Sequence, residues 1–322
     1  MRGRLIAALG VFALSLSAAP AVAQDAYPSR PIRIIVGFGP ASAADIVARV
    51  IAQQLGASMK QQVVVETRPG AGSNIAAEFV ARAPKDGYTL LMATVANTVN
   101  AAMMPHLSFD FQKDLAPVGL VTAVPILLAA NPGLGVHDVP ELIKLAKTKP
   151  GEITFGSSGT ATAAHLAGEL FNSRAGVKLV HIPYPGSAQA LTDLIAGRIG
   201  LMFGAASTTL PYVKDGKLVA LAMAQSKRAA LAPEVPSMTD AGLPGFDTSV
   251  WFGLLAPAGT PPEIVATLSR EVNAALKTDA VIAPLRAQGM EPIGGSPADF
   301  AAYIAGETAK WAPVVEAAGL KK

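Results

Sequence analysis

Two segments rich in glycine and hydroxyl side chains stand where a β-branched run gives way to a helical one. In Gly156-Ser157-Ser158-Gly159-Thr160-Ala161-Thr162, four hydroxyls and several backbone N–H groups would gather at the positive end of the next helix. That suits an anion such as a carboxylate. A plain N-cap with spare hydroxyls is the simpler alternative. The segment lacks the lysine of a P-loop, and Thr160 stands where a nucleophile elbow needs its second glycine, so it holds no activated nucleophile. The other segment, Gly37-Phe38-Gly39-Pro40-Ala41-Ser42, has the look of a dinucleotide fingerprint. Its sixth position is Ser42, however, and Pro40 removes a donor that a pyrophosphate would need. What remains is either a cleft loop at a helix N-terminus or a structural turn. Asp45, in the first turn of that helix, complements the macrodipole in both cases.

Other chemistry finds little support. His106, His137, His165 and His181 show no metal-ligand spacing. His165 lies early in the helix after the Ser-rich loop, where it either packs and caps or faces a cleft. Asp193, Asp215 and Glu169 sit at ordinary helix-surface spacing and form no acid–base pair. With no cysteine, disulfides, thiolate metal sites and thiol nucleophiles are excluded. No cofactor, metal or catalytic residue is expected.

The elements that must position these loops follow an α/β rhythm. Strands are expected at Ile32 to Phe38, Val63 to Thr67, Thr89 to Ala93, Val118 to Val121, Ile126 to Ala130, Ile153 to Phe155, Leu179 to Ile182, Gly200 to Phe203, Val219 to Ala224 and Val250 to Ala256. Helices fall between most of them, and three more follow from Pro261 to Ala317. The Pro/Gly-rich stretch Ala229 to Gly245 reads as an irregular wrap. The tail has no sheet of its own and should fold back onto the first lobe. The expected architecture is therefore a two-lobed α/β clamp, each lobe an open, mostly parallel sheet flanked by helices. Residues 27–124 and 250–322 form lobe 1, residues 125–249 form lobe 2, and crossings lie near Val124 and Val250. In such sheets ligands bind beyond the carboxyl ends of the strands. The clamp is expected to be a monomer that closes by hinge motion. Trp251, beside the return crossing, should sense that motion, and Trp311 should not.

The first residues read as a secretory leader. Arg2 and Arg4 precede an apolar run from Leu5 to Leu16, and Ala21-Val22-Ala23 offers small residues at the cleavage site. Cleavage after Ala23 would release the chain to the periplasm. It would also reduce the 26 basic residues to 24 against 23 acids, taking the net charge from +3 to +1. Without a basic patch interleaved with aromatics, nucleic-acid binding has no electrostatic footing.

A set of short segments, in order, resembles the substrate-binding proteins of tripartite tricarboxylate transporters, the Bug family. They include Tyr27-Pro28-Ser29-Arg30-Pro31-Ile32, Arg68-Pro69-Gly70-Ala71-Gly72 and Pro84-Lys85-Asp86-Gly87-Tyr88-Thr89-Leu90. Gly156-Ser157-Ser158-Gly159, His165-Leu166-Ala167-Gly168-Glu169-Leu170-Phe171, Pro183-Tyr184-Pro185-Gly186, Gly216-Lys217-Leu218 and Trp251-Phe252-Gly253-Leu254-Leu255-Ala256-Pro257 follow. The resemblance implies a two-lobed periplasmic binding protein fold (Venus-flytrap, type II-like), a small carboxylate in the cleft and a membrane partner with a large and a small integral subunit. It also implies that the loop Phe38, Pro40, Ala41 and Ser42 holds one end of the ligand, with Asp45, Thr94 and Asn97 as further ligand-binding candidates from the same lobe. Ser157, Ser158, Thr160 and Thr162, together with Tyr184, Gly186 and Ser187, would close from the other lobe.

Asp45, Ser157, Ser158 and Tyr184 match the family's usual pattern, and three positions depart from it. Ala41-Ser42 replaces a common Gly-Gly pair, so a backbone shape needing positive φ is expected to be lost. Asn97 replaces a histidine in the Thr94 to Asn100 loop, and Gly204 replaces an acid. All three lie at the expected cleft, where they should change ligand preference. Solute capture for transport is the leading reading; a ligand-sensing module for a membrane sensor and an α/β enzyme are the alternatives.

Overall fold

The computed structural model describes residues 27–104, 107–160 and 162–321; the expected leader, residues 1–23, and His106 lie outside the described residues. The first half of the chain forms β1 (Ile32–Val36), α1 (Ala43–Met59), β2 (Val63–Thr67), α2 (Asn74–Ala81), β3 (Thr89–Thr94), α3 (Val95–Met103) and β4 (Leu115–Ala130). Next come α4 (Val139–Thr148), β5 (Thr154–Ser157), α5 (Ala163–Ala175), β6 (Val180–Pro183), α6 (Ser187–Ile195), β7 (Leu201–Ala205), α7 (Ala206–Lys214) and β8 (Val219–Met223). The chain finishes with β9 (Ser249–Pro257), α8 (Pro262–Ala275), α9 (Asp279–Ala287), β10 (Glu291–Pro292) and α10 (Pro297–Ala317).

The strands fall into two groups, one per lobe, joined through β4. In the first, β1 pairs in parallel with β2 and β3, and β9 lies antiparallel between β3 and β4. In the second, β5 pairs in parallel with β6 and β7, while the end of β4 runs antiparallel to β7 and β8. The expectation of two strands around Val118 and Ile126 is thus corrected to a single strand of 16 residues. The mostly parallel sheets become mixed ones, because both crossing strands run against their neighbours. Pro125 stands where β4 leaves β9 for β7. Without an N–H to give to either ladder, proline is tolerated at such a change of partner.

Alternation along the strands divides the core. Ile32, Ile34 and Val36 of β1 pack with Val47, Ile51 and Leu55 of α1 and with α8 and α9. On the opposite face Ile35 joins α2, α3 and α10 in a cluster that continues into the second lobe through Phe155, Leu166, Leu170 and Phe203. In the tail, α10 lies on α3 and β4 and also reaches α5. Each large apolar side chain fully buried in these layers contributes roughly 1.5 to 3 kcal/mol. In the second lobe α5 lies against β5 at Gly168, where an added Cβ would come within 2.1 Å of the Phe155 ring.

Trp251 on β9 and Trp311 on α10 are both fully buried. Each donates its indole N–H, at 3.1 Å, to the same Oε2 of Glu307. The other oxygen of Glu307 pairs with Lys310, whose ammonium also donates to the Asp247 carbonyl just before β9. The two tryptophans therefore report on one site, and the expected separation between a responsive Trp251 and a silent Trp311 is lost. Removing the carboxylate leaves two buried indole donors unpaired and the Lys310 ammonium without its counter-ion, so Glu307→Ala should lose about 3 kcal/mol in urea unfolding. Glu316→Ala, on the exposed last turn of α10, should change stability by less than about 0.5 kcal/mol.

Candidate functional site

Between the two strand groups lies a cavity of about 630 Å³. Its floor is made by the crossing strands, with Val124 and Ile126 from β4 and Val250 and Phe252 from β9. Most of the other walls come from places where a strand hands over to a helix, with Val99 and Asn100 of α3 and Met202 and Phe203 of β7 filling in between. The first lobe contributes Phe38, Ser42, Ala43 and Ala44 at the start of α1, and Thr94, Val95 and Ala96 at the start of α3. From the second lobe come Ser158, Thr160, Thr162, Ala163 and Ala164 at the start of α5, Ser187 at α6, and Gly204 and Ala205 at α7. Five helix N-termini thus converge, each with backbone N–H groups lacking intrahelical partners. Ser42, Thr94 and Thr162 cap α1, α3 and α5, but α6 and α7 have no side-chain cap. Among the described residues no Lys, Arg, His, Asp or Glu lines the cavity.

Of the residues expected from sequence, Phe38, Ser42, Thr94, Ser158, Thr160, Thr162, Ser187 and Gly204 come together here. The other seven support the walls from behind or beside them. Pro40 and Ala41 are exposed, and Ala41 has φ +61°. The left-handed shape expected to vanish with the glycine pair is therefore kept by an alanine, at roughly 1 to 2 kcal/mol of strain. Asp45 helps to hold it there, accepting the Ala41 N–H at 2.9 Å and Arg49 Nε at 3.0 Å. Burial pushes the Asp45 carboxyl up, but the bonds from Arg49 and Ala41 outweigh it and hold the group below the ordinary carboxylate range.

Asn97 lies in a helix, not a loop. Its side chain accepts the Thr94 N–H at 3.0 Å in a capping box that starts α3. Tyr184 donates its hydroxyl to Asp193 at 2.9 Å, and Gly186 is the extended N-cap residue of α6. An added Cβ at Gly204 would sit 2.7 Å from the Thr209 hydroxyl, so a side chain there would press on α7. Sequence reasoning missed the apolar floor and Val95, Val99, Met202 and Phe203. Such residues carry the same signal as core, and only the crossing positions pointed towards them.

Ser157 is fully buried beneath the second-lobe loop. Its hydroxyl lies 2.6 Å from His181 Nε2 and 2.8 Å from the Gly159 carbonyl, and it accepts the Gly159 N–H at 3.1 Å. The rings of His181 and His165 stack with centroids 3.7 Å apart, and Glu169 stands 3.5 Å from His165 Nε2. His165 is thus a packed residue one turn behind the Thr162 cap. Burial, followed by the proximity of His165, pushes His181 down to about 4, with Glu169 acting the other way.

A second groove, lined by Arg33, Arg68, Arg82 and Phe79, is cationic in composition only. Arg33 and Arg68 both pair with Glu66, and Arg82 pairs with Glu78.

Since the folded state holds His181 neutral below its ordinary value of 6.5, the unfolded chain binds the extra proton between pH 6.5 and about 4. Stability from this group is complete above pH 6.5 and is lost as pH falls through that window. Thermal melts should show the melting temperature of the native protein dropping more steeply there than that of His181→Gln. Equal slopes would contradict the burial of a neutral imidazole beneath the loop.

A family model described as the tripartite tricarboxylate transporter family receptor matches residues 47–320. Protein BugT of Bordetella pertussis (strain Tohama I) is 38% identical over 320 residues, which is 99% of this chain and 98% of that protein. A solved R. palustris protein with adipate is 36% identical with a TM-score of 0.73, covering 91% of this chain and 98% of that one. MatC from Rhodopseudomonas palustris, solved with bound malate, is 30% identical with a TM-score of 0.70, covering 90% of this chain and all of that one. With its family model, its full-length relative and its two-lobed fold in agreement, the chain belongs to the tripartite tricarboxylate transporter receptor family.

Proposed function

We propose that this protein captures a small organic carboxylate in the interlobe cavity and delivers it, as a monomer in the periplasm, to a membrane transporter with a large and a small integral subunit. The observation that carries the reading is the convergence of five helix N-termini on a cavity with no charged side chain among the described residues. An anion is the species such an array stabilises, since each terminus offers N–H donors and a partial positive charge, and of the five only α1 has an acid, Asp45, in its first turn. Relatives solved with adipate and malate support the carboxylate. It binds its ligand and does not turn it over, as a receptor family implies.

In this reading the carboxylate meets the start of α5, where Ser158, Thr160 and Thr162 surround the first-turn N–H groups. Residues 27–124 with 250–322 move against residues 125–249, and β4 and β9 flex together where they cross. The leader is removed after Ala23.

A charge-assisted hydrogen bond contributes roughly 1.5 to 3 kcal/mol, so converting the acid to its amide should reduce affinity tenfold or more. An acid at about a hundred times its dissociation constant should stabilise the protein by roughly 2.7 kcal/mol. At ~2 to 4 °C per kcal/mol the melting temperature should rise by at least ~5 °C. A thermal-shift screen of mono-, di- and tricarboxylates beside their amides reads this directly, and Ser158→Ala should reduce the response to the best acid. Amides or sugars matching the acids would contradict the assignment.

A further inference from the structure

The polar groups of the cavity are distributed unevenly between its two sides. On the first-lobe side both hydroxyls are engaged as helix caps: Ser42 Oγ accepts the Asp45 N–H and Thr94 Oγ1 accepts the Ala96 N–H. The amide of Asn100 is engaged as well, donating to Gly72 O at 2.8 Å. The positive end of α1 already carries a carboxylate, the buried Asp45 in its first turn. A second anion approaching there would meet a like charge only partly offset by Arg49. On the second-lobe side the hydroxyls of Ser158, Thr160 and Ser187 have no hydrogen-bond partner among the described residues, and α6 and α7 lack side-chain caps. Between the two sides the walls and floor are hydrocarbon and aromatic.

Resting on the carboxylate reading above, we infer that this cavity selects acids with one carboxylate and an apolar body, aromatic or branched aliphatic, over hydroxylated di- and tricarboxylates. The carboxylate takes the second-lobe end, and the body lies on Val124, Ile126, Val250 and Phe252. Hydroxyls on the ligand would be stripped of water against a floor that returns no hydrogen bond, which disfavours them. A second carboxylate would face the same floor, the α1 end already occupied by Asp45, or the lone start of α3, where Thr94 already takes the Ala96 N–H. Each further CH2 buried on the floor should raise affinity about fourfold.

The test is isothermal titration of the full mature chain with phenylacetate, 4-methylpentanoate, butyrate, malate, citrate and phenylacetamide. Phenylacetate and 4-methylpentanoate should bind at least tenfold more tightly than malate or citrate, with butyrate weaker than its longer homologue. Val250→Thr, which keeps the shape of a half-buried floor residue and adds a hydroxyl, should weaken phenylacetate about fivefold or more and leave malate unchanged or tighter. Malate or citrate binding more tightly than the apolar acids would overturn this inference while leaving the carboxylate reading intact. Phenylacetamide binding as tightly as phenylacetate, or no acid binding at all, would overturn both.

Discussion

A strand that serves two sheets must change partners along its length, and β4 does so with β9 beside it. From Leu115 to Pro125 it pairs with β9, with register shifts near Pro117 and Leu120, and from Ile126 onward it pairs with β7 and β8. The remaining architecture follows from that crossing. It brings the carboxyl ends of two sets of strands to face one another, so the helices that leave those strands start at one cavity. It supplies the apolar floor, because central strand residues at the crossing are covered by ligand space instead of a helix. Within the sheet it is also the join between the two strand groups. The α10 helix adds a further tie: through Glu307 it links Trp251 of the crossing strand to Trp311 of the tail.

The chemistry of the site lies in backbone, not in charge. Helices in βαβ units begin at the carboxyl ends of strands, and their N–H groups are therefore presented wherever those ends converge. The side chains that remain are small enough to let a ligand approach: Ser42, Ala43, Ala44, Ala96, Ala163, Ala164 and Gly204. Polar residues with larger side chains sit one layer back. Asp45 holds the strained Ala41 turn, Asn97 starts α3, and the His165–His181 stack carries Ser157 and, through it, the loop to Thr162.

Much of this was legible in the residues. The Ser158, Thr160 and Thr162 loop could be read because hydroxyls between a strand and a helix have few other uses, and Ser42 and Ser187 follow the same logic. Asp45, Asn97, Ser157 and Tyr184 belong to segments that reach the cavity but do not themselves line it. Whether a polar side chain faces a cavity or its own backbone depends on χ angles and neighbours that spacing does not encode. Helix α3 was read as a loop since Val95, Asn97, Thr98 and Val99 have weak helix propensity; its capping box and the packing of α10 override that. The antiparallel place of β9 was hidden for another reason. Its partners Leu91 to Thr94 and Leu115 to Pro125 lie more than a hundred residues away in the chain, and local pattern says nothing about pairing at that range.

The central claim is that helix N-termini, without any cationic side chain, hold the ligand's carboxylate. Amide ¹H–¹⁵N spectra of deuterated protein titrated with phenylacetate address it most directly. A carboxylate accepting backbone N–H groups should move the amide protons of Ala163, Ala164 and Ser187 downfield, with smaller changes elsewhere in the cavity. Shifts centred on the Arg33, Arg68 and Arg82 groove, with the cavity amides unmoved, would contradict the account.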